Sequence, residues 1–94
     1  MDINRFLDEA KRIAGIESDY ALAAKLGVSR AAVSIWRTGK GFPDATRSAE
    51  LAVLQGRQPI AGIAAIELER HRENASAVRF WNSQLKQVRE FILC

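Results

Sequence analysis

The segment from Lys25 to Lys40 concentrates basic and hydroxyl side chains that can bind anions. It contains four basic residues and no acidic one, whereas the whole chain of 94 residues has a net charge of +3, so the remaining residues sum to −1. A guanidinium group donates paired hydrogen bonds to planar acceptors, and ammonium or hydroxyl groups donate single bonds to anionic oxygens. This distribution indicates a polyanionic partner bound at one place on the surface.

Residues typical of catalysis or metal binding are scarce in the chain. His71, the single histidine, is predicted to lie on a solvated helix face beside Glu69 and Arg72, and the single cysteine is Cys94. One cysteine excludes an internal disulfide and paired-cysteine metal sites, and no glycine-rich phosphate loop occurs. We therefore expect neither an enzyme nor a cofactor, and no small-molecule site is evident.

Two short helices joined by a glycine are predicted to position these basic groups. Leu22, Ala23 and Leu26 fall on one face of a first helix, which Ser18 can cap at its start. Gly27 follows, where a residue without a Cβ can adopt a positive φ and turn the chain sharply.

The second predicted helix begins after Ser29, which can serve as its N-cap. Val33 and Trp36 lie three residues apart and are expected to pack inward against the first helix. The opposite face is then exposed, and it carries Ala31, Ser34, Ile35 and Thr38.

This pattern resembles the helix-turn-helix module of phage repressors and Cro proteins, within the wider family of xenobiotic-response-element-type regulators. The resemblance implies an all-α fold with a small repressor-like domain of about five helices over residues 1–73. The apolar spacing of the last segment adds a C-terminal amphipathic helix over residues 74–94 in the same compact unit. The resemblance rests on Leu22-Ala23, Leu26-Gly27-Val28-Ser29, Val33-Ser34, and Trp36 followed by Gly39.

The resemblance further implies that the second helix enters the major groove of double-stranded DNA. Arg30 suits the O6 and N7 atoms of guanine, whereas Ala31 and Ile35 lack polar side-chain atoms and suit thymine methyl groups. The expected base-contacting residues are Ser29, Arg30, Ala31, Ser34 and Ile35. The groove face carries no glutamine, unlike that of many family members, so paired amide bonds to adenine are not expected.

Phosphate contacts fix the register on DNA without reading sequence. Asp19 repels phosphate and is not expected to approach it directly. The candidates are Ser18, Lys25, Arg37, Thr38 and Lys40.

A heptad pattern near the C-terminus predicts an interaction surface. The last helix could fold back over its own domain or pair with a second chain, and Phe80 and Phe91 widen its apolar face, which favours pairing. The predicted homodimer interface comprises Ile63, Val78, Trp81, Leu85, Val88 and Ile92.

These features predict a sequence-specific regulator, a Cro-like phage or prophage repressor that binds a palindromic operator. Alternatives are a protein-interaction module such as an antitoxin or antirepressor adaptor, and a nonspecific DNA coat or recombination accessory factor. No apolar run approaches the ~20 residues that span a bilayer, and the N-terminus lacks a signal-peptide layout. We expect a cytoplasmic protein of a bacterial host cell, with no membrane partner.

Overall fold

A computed structural model describes the backbone of residues 2–93 and the side chains of residues 2–88. The described part of the chain is all-α, as predicted. Its helices, in chain order, are α1 (Ile3–Ala14), α2 (Asp19–Leu26), α3 (Arg30–Thr38), α4 (Ala45–Leu54), α5 (Pro59–Arg70) and α6 (Ala75–Leu93).

Side-chain caps fix the beginnings of most helices. Ser18, Ser29, Asp44 and Asn74 each accept a hydrogen bond from the backbone N–H three residues further on, at 2.8–3.1 Å. Such a cap satisfies one of the N–H groups that the first helical turn leaves without a partner. The Ser18 and Ser29 caps were predicted from the sequence, and α5 begins at Pro59, whose fixed φ suits the first helical position.

One core joins the first five helices. Leu7, Leu22, Val33, Leu51 and Ile66, one from each helix, are at most 2% exposed. Trp36 of α3 and Phe6 of α1 complete this core. A single small core explains why the two short helices α2 and α3 are stable, since isolated helices of that length are marginal in water.

The last turn of α1 departs from what its apolar spacing alone would predict. Ile13 and Ala14 continue the apolar pattern of α1, but Ile13 is 46% exposed and Ala14 is also exposed. Gly15 ends the helix in the left-handed conformation, and the N–H of Ile16 then bonds back to the Lys11 carbonyl at 2.8 Å. This reversal brings Ile16, instead of Ile13, against the core.

A buried amide joins α4 to α1. Gln55, only 7% exposed, donates a hydrogen bond from Nε2 to the Phe6 carbonyl at 3.1 Å. Because a buried amide without a partner destabilises the folded state, this bond fixes the position of α4 against α1.

The α4–α5 pair is closely packed at Gly62. A Cβ at this position would overlap the Ser48 carbonyl oxygen and lie 2.8 Å from the Ala52 Cβ. The neighbouring α5 residues Ala61, Ala64 and Ala65 are small and buried. Small side chains therefore let the two helix backbones approach each other.

The final helix, α6, packs mainly on α5. Its residues Val78, Trp81, Leu85 and Val88 are half-buried, while Phe80 is 55% exposed. Among the helices that the structure describes, none is both long enough and apolar enough to cross a membrane. Much of the apolar surface of α6 thus lies outside the core.

Replacing Gly62 by Ala should destabilise the protein by about 1–3 kcal/mol, because the added methyl overlaps backbone that cannot move independently. An ordinary Gly→Ala change inside a helix stabilises by about 0.5–1 kcal/mol, so the sign alone is diagnostic. The free energy of unfolding, measured by urea titration, checks this. An unchanged or increased free energy would show that α4 and α5 separate without penalty.

Candidate nucleic-acid interface

The turn between α2 and α3 is built by one glycine and one serine. Gly27 has a φ of +72°, and the N–H of Val28 bonds to the Ala23 carbonyl at 3.0 Å. Ser29 Oγ then accepts the Ala32 N–H at 3.1 Å, which starts α3. Any side chain at position 27 would be strained in this left-handed conformation, so the glycine sets the angle between the helices.

The inner faces of α2 and α3 are buried as the sequence predicted. Leu22 and Leu26 of α2 are at most 4% exposed, and Val33 and Trp36 of α3 at most 6%. Ala23, 2% exposed, is the small residue among them. This packing leaves the opposite face of α3 directed away from the core.

The exposed face of α3 carries the predicted base-contacting side chains. Ser29, Arg30, Ala31, Ser34 and Ile35 are all exposed, and Ile35 is exposed by 46%. The structure thus gathers them on one surface of α3 and its cap. Their contact with bases stays a prediction.

The predicted phosphate contacts differ in how available their donors are. Lys25 is exposed in the last turn of α2, and Lys40 is exposed beyond the end of α3. Ser18 uses its oxygen to accept the Ala21 N–H at 3.0 Å, which leaves its hydroxyl proton able to donate. Thr38 already donates its hydroxyl proton to the Ile35 carbonyl at 2.9 Å, so it would have to break that bond to reach a phosphate.

Arg37 has an intramolecular role that the sequence analysis did not predict. Its Nη2 and Nε donate to the two carboxylate oxygens of Asp19 at 2.8 and 3.0 Å, and Nη2 also lies 2.8 Å from Asp8. The side chain is only 20% exposed. In this structure Arg37 joins α3 to α2 and α1, so its donors would have to leave these partners to reach a phosphate, and its phosphate contact stays a prediction.

Asn4 and Lys11 extend this ion network along α1. Arg37 Nη1 donates to the backbone and side-chain oxygens of Asn4, and the Asn4 amide donates to the Arg37 carbonyl at 3.1 Å. Lys11 Nζ donates to Asp19 at 3.0 Å. These partners are distant in sequence and come together only when the three helices pack, so no local spacing indicates them.

The network shifts the ionisation of its members. The hydrogen bond from Arg37, together with that from Lys11, lowers the pKa of Asp19 from 3.8 to about 2, although partial burial opposes the shift. The same hydrogen bond with Asp19 raises the pKa of Arg37. Both groups are therefore held charged near neutral pH.

Tyr20 is a further residue of this surface that the sequence analysis missed. It follows Asp19 in the first turn of α2 and is 63% exposed. The guanidinium carbon of Arg30 lies 5.0 Å from the centre of its ring, within the range of a cation–π contact. An aromatic residue near the start of α2 was the one signal available in the sequence.

The all-α fold, the turn at Gly27 and the exposed α3 face define a DNA-binding protein of the helix-turn-helix class. The family model of the bacteriophage CI repressor helix-turn-helix domain matches residues 5–58, more than half of the chain. The protein belongs to this family, whose members are non-enzymatic DNA-binding regulators. Comparisons with curated proteins and with solved structures give no match.

Asp19→Asn should lower the free energy of unfolding at pH 7 by about 1 kcal/mol, after allowance for the 42% exposure of the carboxylate. Because folding lowers the pKa of Asp19, its contribution is complete above pH 4 and is lost as the pH falls towards 2. The difference between the two proteins should therefore shrink over this interval in urea titrations at several pH values.

Glu17→Gln is the matched control, since it removes an equal charge from an exposed side chain two positions away. It should leave the free energy of unfolding nearly unchanged. A difference between wild type and Asp19→Asn that persists undiminished at pH 2 would contradict the role given to the Asp19 carboxylate.

Proposed function

We propose that this protein is a sequence-specific transcriptional regulator, a Cro-like phage or prophage repressor that binds a palindromic operator as a homodimer. The observation that carries this proposal is the exposed α3 face with Ser29, Arg30, Ala31, Ser34 and Ile35. An α-helix fits the major groove, where base edges differ in their pattern of donors, acceptors and methyl groups. Such a regulator would work in the cytoplasm of a bacterial host cell.

The chemistry of the exposed face supports a defined base preference. Arg30 lies at the first position of α3, where helix-turn-helix proteins approach base edges, and its guanidinium matches the two acceptors of guanine. Ala31 and Ile35 stand one turn apart and present only apolar side-chain atoms. An operator half-site would then combine guanine near Arg30 with thymine near Ile35.

The ion network supports this mode of binding indirectly. Since Arg37 and Lys11 both donate to Asp19, the acidic charge at the start of α2 is neutralised. The DNA backbone can then approach Ser18 and the N-terminal turn of α2 with less repulsion. Lys25 and Lys40 would supply the remaining positive contacts, which set the register on the duplex.

The α5–α6 surface supports a dimer. Ile63 of α5 and Val78, Trp81, Leu85 and Val88 of α6 are half-buried within one chain. The side chain of Ile92 lies outside those that the structure describes. A two-fold pairing through this surface would bury the exposed Phe80 and place two α3 helices about 34 Å apart, one turn of DNA.

Selection from random duplexes at about 150 mM salt should enrich a palindrome with guanine in each half-site. Arg30→Ala should reduce the preference for that guanine by about 1–3 kcal/mol and leave the other positions unchanged. Lys40→Ala serves as the comparison: it should weaken all duplexes equally and reduce the salt slope by about 1.

Two results would contradict this proposal. Equal weakening of all sequences by Arg30→Ala would make Arg30 a phosphate contact. Absence of any enriched sequence would favour a nonspecific DNA-coating role or a protein-interaction module.

Sedimentation equilibrium should give the mass of a dimer for the wild type and a shift towards the monomer for Phe80→Ser. The expected cause is loss of a large apolar side chain from the interface. Ile13→Ser is the matched control, because Ile13 is an equally apolar, exposed residue on α1, and it should leave the dimer intact. A monomeric wild type would favour the module that binds a different protein.

A further inference from the structure

We infer that Tyr20 is a specificity-determining residue: its ring holds the Arg30 guanidinium in the orientation that reads guanine. This inference rests on the proposed function of α3. The Arg30 guanidinium carbon lies 5.0 Å from the centre of the Tyr20 ring. The two residues belong to different helices and meet across the α2–α3 turn.

The exposure of Tyr20 and Arg30 indicates a role at the protein surface. Tyr20 is 63% exposed and lies outside the core cluster, so its ring contributes little to packing within the folded chain. A tyrosine exposed to this extent beside the groove-facing side of α3 is available to a ligand. Its intramolecular contact is with the one arginine on the predicted base-reading face.

Arg30 and Arg37 differ in the side chains that contact their guanidinium groups. The other arginine of α3, Arg37, is fixed by two carboxylates and an asparagine. Arg30 has instead the cation–π contact with Tyr20, and no ion pair of Arg30 occurs among the described side chains. The ring is therefore the feature that restricts the many rotamers of this long side chain.

Orientation decides whether an arginine reads sequence or only binds charge. Two parallel hydrogen bonds to O6 and N7 require the guanidinium plane to align with the base, whereas a phosphate accepts bonds from many directions. An aromatic ring attracts the cation through its face and leaves the N–H groups at the guanidinium edge able to donate. Tyr20 thus lowers the entropy that Arg30 loses on binding guanine.

The test compares the wild type with Tyr20→Leu and Tyr20→Phe in competition binding. The duplexes carry either the selected guanine or a substitution at that one base pair. Tyr20→Leu should reduce the preference for guanine about two- to fivefold, the range of an exposed cation–π contact. Tyr20→Phe retains the aromatic face and should restore the preference.

A double-mutant cycle separates this role from a direct DNA contact. In an Arg30→Ala background, Tyr20→Leu should have no further effect on discrimination at that base pair. Equal weakening of both duplexes by Tyr20→Leu, or an effect that persists without Arg30, would overturn the inference. An undiminished guanine preference in the Tyr20→Leu variant would also overturn the inference.

A spectroscopic readout in the absence of DNA supplies a second criterion. The ring current of Tyr20 should shift the Arg30 δ-protons upfield in the wild type and in Tyr20→Phe, and this shift should vanish in Tyr20→Leu. Failure of the wild type to prefer any sequence would overturn the proposed function and this inference together. If the wild type prefers guanine and Tyr20→Leu shows the same preference, the inference fails while the proposed function stands.

Discussion

The paired hydrogen bonds between Arg37 and Asp19 are the interaction on which the geometry of the candidate interface depends. They join the last turn of α3 to the first turn of α2, while Asp8 and Asn4 join the same arginine to α1. The α2–α3 turn at Gly27 fixes the other end of the two helices. With both ends held, the exposed face of α3 has one orientation relative to the rest of the domain.

This arrangement gives the two arginines of α3 different surroundings, and the proposed recognition role falls to Arg30. Arg37 is 20% exposed and bound by carboxylates, so its charge is used within the protein. Arg30 is exposed beside an aromatic ring and keeps its N–H groups available for a ligand. The other basic side chains between residues 25 and 40, which are Lys25, Arg30 and Lys40, are exposed and are the ones proposed to contact DNA.

The second half of the fold contributes to the shared core and also positions α6. Gly62 and the small residues around it allow α5 to lie close to α4, and α5 in turn supports α6. The apolar residues of α6 are only half-covered by this contact. The physical consequence is an apolar surface connected to the core through a single helix, which is the surface proposed for pairing.

Local chemistry in the sequence determined the helix boundaries and the helix-turn-helix. The capping side chains accept hydrogen bonds from N–H groups three residues away, so their effect can be predicted without any tertiary contact. These caps are Ser18, Ser29, Asp44 and Asn74. Only the tertiary structure decided that Arg37 is an internal ion-pair partner, because Asp8, Asp19 and Asn4 approach it from other helices. Only the tertiary structure decided, likewise, that Ile13 is exposed: it shares the apolar period of α1 but lies beyond the turns that pack on the core. Periodicity identifies a face, whereas packing decides how far along the helix that face is covered.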